Sequence, residues 1–179
     1  MVGPTVANFE DLMRFGQTPP RPPSQRVVAD WTQLPQVTKQ FLEGFKLSNS
    51  ATFLPTLGGI AEWNYVSQVD RNQTLRVTIE VHQGGGQAQA IESMKRVARS
   101  ASRSPNPFGP TPQSIQLGDY SAMLFPGRVG PARDVLWVYF NVFARVRIMS
   151  TAAVTFDVMP IAHAIQSFLE QHVSTDVPQ

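Results

Sequence analysis

The stretch Asp134–Ser150, DVLWVYFNVFARVRIMS, limits the fold more than any other part of the chain. In its second half, two series of residues alternate: Val142, Ala144, Val146 and Ile148, and between them Phe143, Arg145, Arg147 and Met149. A period of two is typical of a β-strand, whose successive side chains point to opposite faces of the sheet. No long loop fits around Asn141, so the stretch predicts two adjacent strands in a hairpin.

The first half of this stretch is apolar on both sides. Leu136, Val138 and Phe140 form one strand face, and Val135, Trp137 and Tyr139 form the other. Such a strand is either covered on both sides or exposed to a partner. The pattern leaves open whether Trp137 and Tyr139 lie on the same side of the sheet as Arg145 and Arg147.

If they share that side, the outer face of the sheet combines aromatic rings with guanidinium groups. Tyr, Trp and Arg are enriched at interface hot spots, which favours a binding surface. The alternative is cation–π packing that only stabilises the sheet. The candidate binding residues are Trp137, Tyr139, Arg145, Arg147 and, on the predicted strand Thr74–His82, His82.

Other segments predict a second hairpin and two main helices. Ile60–Val69 and Thr74–His82 flank the turn-forming DRNQ, and the latter strand alternates cleanly between apolar and polar residues. Residues 88–103 carry one apolar stripe, as does the region near Asp157–His172. The order hairpin–helix therefore occurs twice, which suggests a pseudo-repeat.

We therefore predict an α+β fold: an antiparallel sheet of about five strands with two main helices on one face. Residues 1–30, which include TPPRPPSQR, are predicted to form an extended Pro-rich arm, and residues 31–179 a single domain. A short helix is expected within Leu34–Leu47, and an exposed loop at Ser104–Gln113.

Composition excludes several kinds of chemistry. The chain of 179 residues has no cysteine, which removes thiol catalysis and disulfides, and its formal net charge is only +2. No run of like charge and no RNA-recognition string is present, so no nucleic-acid partner is expected. His163 and His172 lie on opposite sides of one helix, and no cofactor or metal site is predicted.

Two functions from different classes remain open. The first is a non-enzymatic binding or assembly module that uses an exposed sheet face or edge to hold a protein partner or a second copy. The alternative is a small-molecule-binding protein or small hydrolase with a pocket near Gly84–Gly86. For the latter, His82 and Glu80 share a strand face and are compatible with a His–carboxylate pair, although no G-x-S-x-G or H-E-x-x-H motif occurs.

The last third of the chain resembles a family of uncharacterised exported bacterial proteins. The resemblance rests on LGDYSAMLF, the hairpin DVLWVYFNVFARVRI and the closing PIAHAIQSFLEQ, with Phe140-Asn141 where that pattern tends to have Gly-Asn. It implies a location in the cell envelope, periplasmic or secreted, and no activity. Without a leader peptide the expected location is cytoplasmic, and no apolar stretch reaches the roughly 20 residues that span a bilayer.

Overall fold

A computed structural model describes residues 20–53, 58–84, 86–102, 111–125, 133–150 and 154–175. The strands are β1 (Arg26–Val27), β2 (Phe45–Phe53), β3 (Gly58–Ser67), β4 (Thr74–His82), β5 (Thr111–Ser114), β6 (Tyr120–Phe125), β7 (Asp134–Tyr139), β8 (Val142–Met149) and β9 (Val173–Ser174). The helices are α1 (Leu34–Thr38), α2 (Gly86–Ser102) and α3 (Met159–Gln171).

The fold is α+β, as predicted, and its main sheet is antiparallel. The strand order is β2-β3-β4-β8-β7-β6-β5, and β1 pairs with β9 in a separate two-stranded sheet. Both predicted hairpins are present, as β3–β4 and as β7–β8. The short helix α1 is also confirmed, flanked by 3₁₀ turns.

The main sheet has seven described strands rather than about five, and the first residues of β2 and most of β5 lie where the sequence predicts a helix and a loop. The predicted helix ends before Phe45, which is the first residue of β2. Gly44, just before it, has a φ of +81°. The centres of the Phe45 and Phe156 rings are 5.0 Å apart. Residues 104–110 of the predicted loop lie outside the described ranges, and its last residues belong to β5, at the sheet edge. Pro112 is tolerated in β5 because an edge strand does not need every backbone N–H.

The two main helices cover opposite faces of the sheet, not the single face predicted. Buried residues of α2 cluster with Leu136 and Val138 of β7, whereas buried residues of α3 cluster with Val135 and Trp137. These four β7 residues alternate along one strand, so the two clusters must lie on opposite sides. The physical reason is that both faces of β7 are apolar and each needs a cover.

The hairpin–helix order does occur twice along the chain, as β3–β4–α2 and β7–β8–α3. The two helices do not pack equivalently, however, because one covers each side of the sheet. The proposed pseudo-repeat with a common helical layer is therefore not the arrangement observed.

The Pro-rich arm is described only from residue 20, and residues 1–19 lie outside the described ranges. Residues 20–30 contain no helix, and their only regular element is β1. The segment is anchored to the core, since Val27 is buried and its N–H donates to Asn141 Oδ1 at 2.7 Å.

Gly118 is needed where the chain passes close to β7 on its way into β6. Its φ is +61°, and an added Cβ would lie 2.5 Å from the Val138 carbonyl oxygen and 2.9 Å from Trp137 Cδ1. The close approach allows a hydrogen bond, since the N–H of the next residue, Asp119, donates to the Val138 carbonyl at 2.7 Å.

We expect Gly118→Ala to destabilise the fold by about 2–5 kcal/mol, since a left-handed backbone costs about 1–2 kcal/mol and overpacking about 1–3 kcal/mol. Gly44→Ala is the matched control, because Gly44 also has positive φ but has no atom within 4 Å of a new Cβ. It should cost only the backbone term, about 1–2 kcal/mol. Denaturant unfolding measures both, and equal losses would contradict the steric argument.

Candidate functional site

The five predicted binding residues divide between the two sides of the sheet. One side, which we name the polar face, carries the following side chains of β3, β4 and β8: Glu62, Asn64, Arg76, Thr78, Glu80, His82, Arg145 and Arg147. Trp137 and Tyr139 pair with Ala144 and Val142, and therefore point to the opposite side. The combined surface of aromatic rings and guanidinium groups is not formed.

Trp137 lies in the core under α3 and is fully buried. Its truncation to alanine would remove about 3–5 kcal/mol of stability, the usual cost of deleting a buried large aromatic ring. Tyr139 is half-buried, and its ring meets Phe140 edge-on at 4.8 Å. Burial raises the pKa of the Tyr139 hydroxyl. These two aromatic residues therefore hold the fold together on the α3 side.

The exposed part of the polar face contains three arginines, two of which lie near the Asp134 carboxylate. Arg145 holds both oxygens of Asp134, with Nε to Oδ1 at 2.8 Å and Nη2 to Oδ2 at 2.6 Å. Arg147 Nε stands 3.7 Å from the same Oδ2, beyond hydrogen-bonding distance. Arg76 lies directly opposite Arg147 on β4, and its Nε donates to Asn64 Oδ1 at 2.8 Å.

The end of the polar face beneath α2 holds a second polar network. Ser93 Oγ lies 2.7 Å from Glu80 Oε1 and 3.1 Å from His82 Nε2. Arg96, one turn further along α2, donates to the Glu80 carboxylate at 3.1 Å. The predicted His82–Glu80 proximity is therefore present, with Glu80 Oε1 at 3.4 Å from His82 Nε2.

This network does not have the geometry of a nucleophile relay. In such a relay the carboxylate holds one imidazole nitrogen and the nucleophile meets the other. Here Ser93 and Glu80 both lie at Nε2 of His82. Burial lowers the pKa of His82, while the nearby Glu80 carboxylate acts in the opposite direction. The lowered pKa favours the neutral imidazole, which lies at the edge of a small cleft.

That cleft opens beside the glycine-rich turn, with a volume of about 330 Å³. Its walls combine glycine backbone with polar side chains, and they include Gly58, Gly59, Glu80, His82, Gly84 and Gln89. Gly85, in the middle of the predicted Gly84–Gly86 loop, lies outside the described residues.

Strand β2 forms one edge of the main sheet. It pairs with β3 on one side, and no other described strand pairs with it. Residues 46–51 are all exposed, and a register irregularity separates Leu47 from Asn49. From Asn49 to Phe53 the pairing with β3 is regular. The outer side of this segment offers backbone donors and acceptors that no described strand uses.

A buried carboxylate ties the N-terminal segment to the β7–β8 turn. Asp119 Oδ1 accepts from Arg21 Nη2 at 2.8 Å, and Asp119 Oδ2 accepts from Gln87 Nε2 and Phe140 N–H, both at 2.9 Å. The Arg21 guanidinium also lies 4.4 Å from the centre of the Phe140 ring, and its hydrogen bond with Asp119 raises its pKa. Phe140 has a φ of +51°, a backbone conformation that residues other than glycine rarely adopt.

Sequence reasoning missed Ser93, Asp134 and Asp119. The signal for Ser93 was a polar residue within the apolar stripe of α2, between Ala90 and Met94. For Asp134 and Asp119 no local sequence pattern predicts burial or an ion pair, since their partners Arg145 and Arg21 come from other segments of the chain.

Comparisons with known proteins found no match to a family model, to a curated protein or to a solved structure. The resemblance to exported bacterial proteins therefore stays a prediction. Within the described ranges, no helix is long and apolar enough to cross a membrane, and no group of three or more metal-binding side chains occurs.

The lowered pKa of His82 predicts a loss of stability in mild acid. Because the folded pKa lies below the ordinary value of 6.5, the unfolded chain takes up a proton first as the pH falls. The contribution of neutral His82 is complete above about pH 6.5 and is lost below it. Urea unfolding at about pH 7.5 and about pH 5.5 should show a smaller loss for His82→Gln than for the wild type.

His163→Gln is the control for this measurement, because His163 is exposed on α3, away from the Glu80 network. It should keep the wild-type pH dependence. Equal losses of stability in the wild type and in His82→Gln would contradict the assignment.

Proposed function

We propose that this protein is a non-enzymatic binding or assembly module that adds a strand to the open edge of β2. The observation that carries this proposal is the segment Asn49–Phe53 at one edge of the seven described strands, where the pairing with β3 is regular and Asn49, Ser50 and Ala51 are exposed. Natural proteins protect long edge strands with charges, prolines or bulges, because an unprotected edge pairs with other chains. Strand addition gives affinity through main-chain hydrogen bonds.

The usual protection is confined to the start of β2. Lys46 and the irregularity between Leu47 and Asn49 lie there. Beyond them, no charged residue and no proline occurs from Leu47 to Phe53. The second half of the strand therefore lacks the features that normally prevent pairing between edges.

The occupant favoured by these residues is a second copy of the chain. Antiparallel pairing of two β2 strands brings identical segments together around a two-fold axis, as in the isologous interfaces of most homodimers. Like charges directly opposite each other destabilise a strand pair. The segment Leu47–Phe53 has no charges, so pairing with itself has no such penalty.

A location in the cell envelope is the other part of the proposal, and its support is the sequence pattern of the last third of the chain. Fractionation of a bacterium that expresses the full native gene, with detection of the protein in the periplasm or medium, tests it. Recovery solely with the cytosol would contradict it.

A charge-exchange experiment tests the β2 pairing. Ser50 is exposed on β2, so Ser50→Lys should fold normally but place two positive charges near each other in the dimer. We expect dimerisation to weaken about fivefold, which corresponds to about 1 kcal/mol for a like-charge pair across strands. Sedimentation velocity over a range of concentrations measures it.

The controls separate charge from other effects. Ser50→Glu should weaken dimerisation by a similar factor, and an equimolar mixture of the Lys and Glu variants should restore it. Ser50→Thr, which adds no charge, should behave as the wild type. A wild-type protein that is monomeric at every concentration, or a mixture that does not recover, would overturn the proposal.

The cleft beside Gly84 supports a second candidate, binding of a small polar molecule. Its volume of about 330 Å³ lies at the lower end of ligand sites, and Glu80 and His82 offer an acceptor and an imidazole at its wall. Both side chains are largely buried and held by Ser93, so they are already ordered before a ligand binds.

Filling the cleft tests this candidate. A Cβ on Gly84 would meet no atom within 4 Å, so Gly84→Leu should preserve the fold while occupying part of the cleft. A thermal-shift screen with sugars, amides and small carboxylates should find a compound that raises the melting temperature of the wild type but not of Gly84→Leu. A compound that stabilises both proteins equally, or a screen without a hit, would reject the cleft as a binding site.

A further inference from the structure

The exposed arginines of the polar face have more positive charge than their partners neutralise. Among the described residues around Arg147, three guanidinium groups, of Arg76, Arg145 and Arg147, face two carboxylates, of Asp134 and Glu62. Arg145 occupies both oxygens of Asp134 in a bidentate pair, the strongest geometry that these two groups form. Arg147 therefore has only a longer-range electrostatic attraction to Asp134, whose two oxygens are already hydrogen-bonded to Arg145.

The register places a second positive charge beside Arg147. Arg76 and Arg147 are direct cross-strand partners on β4 and β8, with side chains on the same face. Cβ atoms in such pairs lie about 4.5–5.5 Å apart, and like charges in this position destabilise the pair. Burial lowers the pKa of Arg147, the Asp134 carboxylate opposite it on β7 raises it, and the guanidinium groups of Arg145 and Arg76 lower it further.

Both arginines can be reached from solvent. The side chain of Arg147 is 46% exposed and that of Arg76 is 45% exposed, whereas Arg145 is only 19% exposed. Arg76 uses its Nε for Asn64 and stands 3.4 Å from Glu62, so that carboxylate repels an anion from the β3 side. The space above the Arg76–Arg147 pair is the position where an incoming anion meets two cations.

We propose that Arg76 and Arg147 form a binding site for an oxyanion, the carboxylate or phosphate group of a ligand. An oxyanion between the two guanidinium groups accepts charge-assisted hydrogen bonds from both and removes their mutual repulsion. Arginine suits this role because its planar fork matches two oxygens of one group. The site is separate from the β2 edge and from the cleft, and it does not depend on either function proposed above.

Titration of the full chain with two probes tests the site. Sodium acetate and inorganic phosphate are each added at constant ionic strength, and the backbone amide signals of β4 and β8 are followed by NMR. Saturable shifts centred on Arg76 and Arg147 are expected. The probe with the tighter dissociation constant tells whether a carboxylate or a phosphate group is the preferred ligand.

Variants with matched charge separate a site from general attraction. Arg147→Gln should weaken binding of the preferred probe at least about fivefold, because it removes one of the two charge-assisted partners. Arg71→Gln lowers the net charge equally but lies in the exposed β3–β4 turn, so it should bind as the wild type. Arg147→Lys keeps the charge without the fork, and it should bind more weakly than the wild type and better than Arg147→Gln.

Shifts that stay linear with probe concentration, or that Arg71→Gln reduces as much as Arg147→Gln does, would overturn the proposal. If Arg147→Gln does not fold, the binding of the preferred probe to Arg147→Lys alone tests the proposal. Binding equal to the wild type in that variant would then reject the arginine fork.

Discussion

The rest of the structure depends on the burial of β7 from both sides. Val135, Leu136, Trp137 and Val138 are fully buried in succession, which happens only when both faces of a strand are covered. Complete burial of such a side chain contributes about 1.5–3 kcal/mol, so these four residues together contribute a large share of the stability. The need to cover both sides places α2 on one face and α3 on the other.

The turn that follows β7 connects this core to the N-terminal segment. Asp119 fixes the Phe140 backbone and Arg21 together, and Asn141 receives the Val27 N–H through its side chain. A phenylalanine at positive φ costs about 1–3 kcal/mol, and such conformations persist only where surrounding contacts enforce them. Here the ring contact with Tyr139 and the contact with Arg21 supply that enforcement.

Double coverage also explains where functional surface is left. On the α3 side the sheet is covered by apolar contacts, and the aromatic residues Trp137 and Tyr139 belong to that packing. On the other side α2 covers Leu136, Val138 and Phe143 and the end of β4 that carries Glu80 and His82. The rest of the polar face on β3, β4 and β8 presents arginines and carboxylates to solvent, and β2 is left at the edge.

The sequence by itself determined the class of the fold, both hairpins and the main helices, because the periods of two and 3.6 are local properties of the chain. It also determined that Arg145 and Arg147 share one face and that His82 and Glu80 share one. Only the tertiary structure decided that Trp137 faces α3, that Arg76 stands opposite Arg147, and that Ser93 meets His82. Periodicity shows which residues of one strand share a face. Which strand pairs with it, and which helix covers each face, depends on contacts with segments that are distant in sequence.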